Sequence, residues 1–269
     1  MTRKRKSPDA ITVLFSIMGA LLLAFIALPL VMTVLSEDPL SIASALADPE
    51  VQSAIAVSFG GALIATAISC LFGIPLGYVM ARTRFPGKGI IQGIIDLPVV
   101  IPHTIAGVAL LVVFGRMGLF SSEMDALNLR FEDEFLGIIA AMMFVSASFI
   151  VNASRDGFEA VDERLESVAR SLGASRLEAI FTVTIPLSLP SIVTGIVLSW
   201  ARAVSEFGAV VIIAYFPKIV PTLIYEKTLR SGLSEAMPVA ALLILICVGV
   251  FILLRTFTAI WKRRMEGME

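Results

Sequence analysis

The sequence predicts an all-α membrane protein with six transmembrane helices, on the strength of its composition, its long apolar stretches and the placement of its charges. Hydrophobic residues make up 57% of the 269 residues and charged residues only 16%, with a mean hydropathy of +0.91. Soluble domains carry about 25% charged residues, and a chain this apolar cannot shield its side chains from water. The composition therefore excludes an ordinary soluble globular enzyme.

Six apolar stretches are long enough to be membrane spans, since about 20 apolar residues cross the hydrocarbon core. We predict spans at Ile11–Leu35, Val51–Ala81, Leu97–Phe114, Phe135–Val151, Leu187–Ile213 and Pro238–Leu254. The first span follows a basic segment, as a signal peptide would, but it is longer than the apolar region of such a peptide, so we expect it to be retained. The second and fifth spans are longer than one bilayer requires and should tilt or project from it.

The positive charges predict the orientation of these spans. Of the 21 Lys and Arg residues, 15 fall in the terminal segments and alternate loops that lie on one side, 5 fall on the other, and Arg202 lies within a span. Lys and Arg accumulate on the cytoplasmic side of membrane proteins. We therefore expect a single transmembrane domain, residues 1–269, that crosses the plasma (inner) membrane several times and has both termini in the cytoplasm.

A regular pattern occupies the loop between spans four and five, about residues 153–187. Five apolar residues, spaced by three and four, share one predicted helical stripe: Phe158, Val161, Leu165, Val168 and Leu172. Gly173 is placed to end this helix in a left-handed cap, and Ser175 with Glu178 forms a capping box that begins a second short helix. The pattern predicts an amphipathic helix, a tight turn and a short helix before span five.

Periodicity alone leaves three roles open for this loop, which could pack on the ends of the spans, lie in the lipid headgroups or dock a partner. Interfacial helices are rich in Lys and Arg on their polar face, whereas this one is mostly acidic. The charge pattern therefore argues against the headgroup layer. Packing on the bundle and docking to a partner both stay open.

Two charges, Arg202 and Glu206, interrupt the apolar fifth span. Each charge at the middle of a bilayer costs about 2.5–3.5 kcal/mol, so such residues face protein or water. A spacing of four places both on one helical face, within reach of each other. The pair is either a self-neutralising tie between helices or part of a polar pathway.

His103, the only histidine, lies between Pro102 and Thr104 near the predicted cytoplasmic start of span three. A lone histidine is more often structural than a ligand or proton relay. Pro98 and Pro102 should bend this span and turn carbonyl groups toward a cavity, since irregular backbone is tolerated in a membrane only where it faces protein or water.

The string from Glu166 to Ser175, with the two prolines downstream, resembles the cytoplasmic motif of ABC importer membrane subunits. Ser167 and Val168 stand where that motif usually has Glu and Ala. The resemblance implies the type I ABC importer permease fold and a loop that docks a cytoplasmic ATPase subunit. The implied docking residues are Ser167, Val168, Ala169, Leu172, Gly173, Ala174, Ser175 and Arg176.

The run from Trp200 to Ala209 resembles the R-A-x-x-E-F-G-A signature of the molybdate, tungstate and sulfate branch of these importers. The resemblance implies a homodimer that translocates a tetrahedral oxyanion, with molybdate or tungstate ranked before sulfate or thiosulfate. It also implies two ATPase subunits, which would bind ATP and Mg²⁺, and an external oxyanion-binding protein, with membrane lipid around the chain and no nucleic acid. The candidate pathway residues are Arg202, Glu206, Pro102, His103 and Thr104.

ATP chemistry within this chain is not expected, because no phosphate-binding G-x-x-x-x-G-K-[S/T] loop occurs in it. One histidine and two isolated cysteines, Cys70 and Cys247, provide neither a zinc-protease helix nor another metal site. We therefore predict a transport subunit rather than an enzyme. An ion-coupled secondary transporter or channel that uses Arg202 and Glu206 is the alternative from another class.

Overall fold

The computed structural model describes residues 9–266, with side chains as far as Leu254 and that of Thr256. The regular secondary structure of these residues is all helical. Its helices are α1 (Ala10–Leu35), α2 (Pro39–Ala47), α3 (Pro49–Arg82), α4 (Lys88–Val100), α5 (His103–Phe114), α6 (Ser121–Ala126), α7 (Phe135–Glu159), α8 (Glu163–Ser171), α9 (Arg176–Ala179), α10 (Ile185–Val204), α11 (Val210–Ile213), α12 (Val220–Ser231) and α13 (Leu233–Glu266). A π-helical turn, Ile180–Thr184, joins α9 to α10.

The predicted fold class is confirmed. Five described helices are long and apolar enough to cross a membrane, namely α1, α3, α7, α13 over Leu233–Leu254 and the continuous helix Arg176–Val204. The bent pair α4 and α5 passes the same test only as a unit, and counting it as one span gives the predicted six. The first two spans begin and end within two residues of their predicted bounds. The fourth and sixth are longer than predicted, because α7 continues to Glu159 and α13 begins at Leu233.

Helices α2 and α3 each begin with an aspartate at the N-cap and a proline at the first helical position. The Asp48 carboxylate accepts a hydrogen bond from the backbone N–H of Glu50 at 2.9 Å, and Pro49 occupies the first position of α3. Asp38 caps α2 in the same way, with Pro39 after it. Proline is favoured there because its missing N–H has no helical partner to lose. These caps fix where the long apolar helices start.

The core forms where α3, α7 and α10 pack together. Small buried residues, Ala62, Ala65 and Ala203, let these helices approach closely, and the larger Met142 and Val145 are buried beside them. Small residues enrich such interfaces because helix association within lipid depends on close van der Waals packing. In contrast, α1 buries none of its residues. The chain thus has a tight three-helix centre, with α1 on its periphery.

The third span differs from its predicted form, a single helix Leu97–Phe114. It starts earlier, at Lys88, and breaks after Val100, and the two helices α4 and α5 are bent by 115° relative to each other. Ile101 is extended and Pro102 is the N-cap of α5. A residue before proline avoids the helical conformation, so this break follows from Pro102. Pro98 lies within α4 and does not interrupt it.

The fifth span also differs from its predicted bounds, Leu187–Ile213. The helix begins eleven residues earlier, at Arg176, passes through the π-helical turn and ends at Val204. Glu206 therefore lies beyond the helix, where one carboxylate oxygen accepts the backbone N–H of Ala209 at 2.7 Å. Hydropathy did not reveal this end because the irregular segment that follows is itself apolar.

The segment between α10 and α13 is held by a partly exposed ion cluster. The ammonium group of Lys218 lies 2.8 Å from carboxylate oxygens of both Glu50, at the start of α3, and Glu226, on α12. The Tyr215 hydroxyl donates to Glu226 at 3.0 Å. These contacts tie three separate parts of the chain together on the side where α3 begins.

Candidate functional site

In the 153–187 loop the structure contains the predicted turn at Gly173 and the predicted capping box, but not the predicted single amphipathic helix. The single stripe-bearing helix is wrong, because α7 ends at Glu159 and α8 begins only at Glu163. The carboxylate of Asp162 accepts the backbone N–H of Arg164 at 2.9 Å and caps α8. An N-cap aspartate starts a new helix, and this signal was present in the sequence but hidden by the regular apolar spacing.

The break divides the apolar stripe between the core and the surface. Phe158 and Val161 are buried against the helical bundle, whereas Leu165 and Val168 are exposed and Leu172 is 85% exposed. Leu177, on α9, and Phe181, in the π-helical turn, are exposed as well. Large apolar side chains gathered on one loop are unusual on a free surface and are typical of an interaction site.

The predicted turn between α8 and α9 is confirmed. Gly173 has a φ of +102°, the left-handed conformation that a side chain disfavours. In the capping box, the Ser175 backbone N–H donates to Glu178 at 2.6 Å and the Glu178 N–H donates to the Ser175 hydroxyl at 3.3 Å. Of the predicted docking residues, Ala169 and Ala174 are half-buried, and Ser167, Val168, Leu172, Gly173, Ser175 and Arg176 are exposed.

Glu166, on the inner side of α8, anchors the loop to the bundle and was not predicted as a site residue. Its carboxylate accepts hydrogen bonds from Thr184 at 2.7 Å, from Arg82 at 3.1 Å and from the Tyr78 hydroxyl at 3.2 Å. Burial by itself raises the pKa of Glu166, but the hydrogen bonds from Thr184 and Arg82 outweigh it and hold the pKa below its usual range. The carboxylate is therefore ionised at neutral pH.

A second polar network, also not predicted, joins α4 to α7. The Gln92 side-chain amide donates to Asp96 and to Asn152, each at 2.8 Å, and the Asn152 amide donates to Asp96 at 2.7 Å. The Arg155 guanidinium donates to the Gln92 carbonyl at 2.6 Å. Each polar side chain thus has partners, which removes much of the cost of placing it within apolar helices. The network fixes the broken third span against α7.

Arg202 and Glu206 form the predicted pair, with the Arg202 Nη2 atom 2.7 Å from a Glu206 oxygen. The same Nη2 lies 2.9 Å from both ring nitrogens of His103. Because arginine has no acceptor, it donates to the imidazole, whose Nδ1 lies 3.4 Å from Glu206. His103 therefore completes a three-residue cluster whose members lie on different elements.

The position of His103 corrects the expectation that it lies near the cytoplasmic start of its span. It begins α5, and it contacts the far end of α10, which starts beside the 153–187 loop. A side chain on Gly208 would come within 2.8 Å of the His103 Cβ, so glycine is required for this approach. Pro102 and Thr104 flank the histidine and are exposed. All five predicted pathway residues thus lie close together.

Exposure differs sharply within the cluster. The Glu206 side chain is 1% exposed, whereas that of Arg202 is 22% and that of His103 is 37% exposed. The carboxylate lies behind the two nitrogen-bearing groups. Among the described residues, none accepts a hydrogen bond from the Arg202 Nε. On its open side the cluster therefore presents the Arg202 guanidinium, whose Nε–H donates to none of the described residues.

A bundle of apolar spans with a polar cluster inside it and an amphipathic loop beside it is the architecture of a membrane transport subunit. Residues 73–267 match the family described as the inner-membrane component of binding-protein-dependent transport systems. The match covers more than half of the chain, so the protein belongs to this family. It is a multi-pass membrane protein and a transport component rather than an enzyme, as the sequence predicted.

Relatives named as oxyanion permeases match most of the chain. The molybdate/tungstate transport system permease protein WtpB of Thermococcus kodakarensis is 44% identical over 244 residues, which is 90% of this chain and 94% of the relative. The probable sulfate transport system permease protein cysT of Nephroselmis olivacea is 33% identical over 202 residues, 74% of this chain and 71% of the relative. The predicted resemblance is confirmed, and the similarity to the molybdate/tungstate protein is the stronger.

The fold also matches a solved structure. The crystal structure of a bacterial ABC transporter involved in the import of the acidic polysaccharide alginate contains a chain that superposes with a TM-score of 0.68. The alignment covers 94% of this chain and 95% of that one, at 18% sequence identity. At this level of identity the likeness shows the shared fold.

Proposed function

We propose that this protein is the membrane subunit of an ATP-driven ABC importer that passes a tetrahedral oxyanion, molybdate or tungstate, into the cytoplasm. Two copies would form the pathway, since a single bundle provides only one wall and a two-fold axis supplies the other. Two ATPase subunits with ATP and Mg²⁺ would supply the energy, and an external binding protein would deliver the anion. The names of the relatives support the substrate, and the family supports the delivery protein.

The observation that carries this proposal is the order of the groups in the Arg202 cluster, in which the basic side chains are partly exposed and the carboxylate is buried behind them. An oxyanion that reaches the open side meets the guanidinium of Arg202 and the imidazole of His103 before the buried Glu206. Guanidinium N–H groups match the geometry of oxyanions. Glu206 offsets the positive charge from behind, so the anion is attracted without being held tightly. Weak attraction suits a pathway, because an anion bound tightly inside the membrane could not be released.

The exposed apolar residues of the 153–187 loop support docking to the ATPase. Leu165, Val168 and Leu172 face away from the bundle, and the turn at Gly173 presents them on a rigid edge. The orientation inferred from Lys and Arg places this loop, and both termini, in the cytoplasm, where the ATPase would be. The chain is then one transmembrane domain with a docking loop at about residues 153–187.

Uptake by proteoliposomes tests the substrate. The vesicles would carry this subunit with its ATPase and would receive the purified binding protein and labelled molybdate, tungstate or sulfate. We expect ATP-dependent uptake of molybdate and tungstate, with sulfate transported poorly. Transport of sulfate but not molybdate would overturn the substrate assignment, and uptake driven by an ion gradient without ATP would support a secondary transporter instead.

A further inference from the structure

We infer that Glu166 is a positioning residue that couples the 153–187 loop to the membrane spans, so that movement of the loop is transmitted to α3 and α10. The inference rests on the proposed function, in which an ATPase docks on this loop. It concerns the side of α8 that faces the bundle, where Glu166 is half-buried, rather than the exposed side that would meet the ATPase.

The geometry joins three elements at one carboxylate. Glu166 belongs to α8, its donors Tyr78 and Arg82 lie in the last two turns of α3, and its donor Thr184 ends the π-helical turn before α10. The Thr184 backbone carbonyl in turn accepts the hydroxyl of Ser188, one turn into α10. Glu166 is thus held both by α3 and by the residue that immediately precedes α10.

Arg82 extends the connection to the start of the loop. Its Nη2 donates to the backbone carbonyl of Val161 at 2.9 Å, in the break between α7 and α8. One guanidinium therefore fixes the segment that enters α8, and Glu166 fixes α8 itself and the segment that leaves it. The loop is fastened at both ends and cannot shift without carrying α3 and α10 along.

Burial separates this pair from an ordinary surface contact. The Arg82 and Glu166 side chains are 7% and 15% exposed, whereas Glu163, 3.9 Å from the same arginine, is 75% exposed. Exposed pairs contribute little, while breaking a buried pair leaves a charge without a partner. The half-buried carboxylate with its several donors holds one arrangement, as transmission of movement requires.

The test compares Glu166→Gln with the matched control Glu163→Gln in the complete importer in proteoliposomes. The readouts are co-purification of the ATPase, ATP hydrolysis stimulated by the loaded binding protein, and oxyanion taken up per ATP hydrolysed. We expect Glu166→Gln to keep the ATPase bound but to lower uptake per ATP at least about fivefold, the lower end of usual coupling between sites. Glu163→Gln should behave as the wild type.

A second variant covers the case in which Glu166→Gln does not assemble. The double change Arg82→Gln with Glu166→Gln removes both charges and leaves two amides able to bond. Assembly with low uptake per ATP in the double variant would support the inference. Normal uptake per ATP in an assembled variant that carries Glu166→Gln, or failure of the double variant to assemble, would overturn it. If the wild-type subunit recruits no ATPase, the proposed function itself fails, which is a distinct result.

Discussion

Arg202 and Glu206 place opposite charges 2.7 Å apart in a region where either charge alone would be costly. Replacing Arg202 by alanine leaves the buried Glu206 carboxylate charged and without its cation. Breaking such a buried pair costs about 3–5 kcal/mol, whereas removing both partners costs less. We therefore expect Arg202→Ala to lower the thermal midpoint of the purified protein more than the double change Arg202→Ala with Glu206→Ala.

Uptake measured on the same two variants separates the two roles of the pair. A double variant that regains stability without regaining oxyanion uptake would show that the charges act in the pathway. Full recovery of uptake would show that the pair serves only to hold α10 against its neighbours, and would contradict the proposed role of Arg202.

The ion pair of Lys218 and Glu226 should stabilise the protein over a defined pH range. Hydrogen bonds to Glu226 and Glu50 raise the pKa of Lys218. The stability that Lys218 contributes is therefore complete below about pH 10.4, the ordinary pKa of lysine, and is lost as the pH rises through the raised pKa. The hydrogen bond from Lys218 outweighs burial and lowers the pKa of Glu226. The stability that Glu226 contributes is therefore present above about pH 4.3, the ordinary pKa of glutamate, and is lost as the pH falls through the lowered pKa.

Thermal melts of the wild type and Glu226→Gln check this range. We expect the wild type to be more stable by a constant margin from about pH 5 to pH 9. The margin should shrink once the pH falls below about 4.3, the ordinary pKa of a glutamate, and towards the lowered pKa of Glu226. The exposed Glu123 provides the control, and Glu123→Gln should show no such margin. A margin for Glu226→Gln that stayed constant to pH 3 would contradict the assigned contacts.

At this scale the sequence revealed charges but not their distant partners. Arg202 and Glu206 could be paired in advance because a spacing of four brings side chains together on a helix. The contact between His103 and Arg202 joins residues 99 positions apart and depends on the break at Pro102. Glu166 looked like part of a solvated acidic face, since nothing local to α8 indicates Arg82 or Thr184.

Among the elements, the turn between α8 and α9 depends on the left-handed conformation of Gly173. An added Cβ would meet open space, so Gly173→Ala acts through backbone strain alone, at a cost of about 1–2 kcal/mol. We expect faster hydrogen exchange at the amides of residues 174–178 and weaker ATPase binding. Gly89→Ala is the control, because Gly89 also faces open space but lacks a positive φ. Equal effects of the two changes would refute the assigned turn.

Element bounds were predictable where apolar runs coincide with capping residues. Asp48 with Pro49 marks the start of α3, and Gly173 with Ser175 marks the turn in the loop. Hydropathy could not locate the end of α10, because the residues beyond Val204 remain apolar while the backbone leaves the helix. It also missed the start of α4, since Gln92 and Asp96 look unsuited to a span until Asn152 and Arg155 satisfy them.

At the scale of the whole molecule, the peripheral helix α1 leaves apolar surface that a second copy of the chain could cover. It buries none of its residues within the chain and packs chiefly on α13, so its apolar surface is left for lipid or a second copy. We expect the complex purified with its ATPase to contain two copies of this 28.8 kDa chain, as native mass spectrometry would measure. A single copy in a complex that still transports would contradict the two-walled pathway.

The helix that runs from Arg176 to Val204, through the π-helical turn, is long enough to cross the membrane as one rod. Its 29 residues span about 43 Å at 1.5 Å per residue. A tilt of only about 5° about the loop end would displace the Arg202 end by about 4 Å, roughly the width of a side chain. Under the proposed function, a small movement imposed on the loop by the ATPase would thus be enough to uncover or hide the Arg202 cation without any helix unfolding.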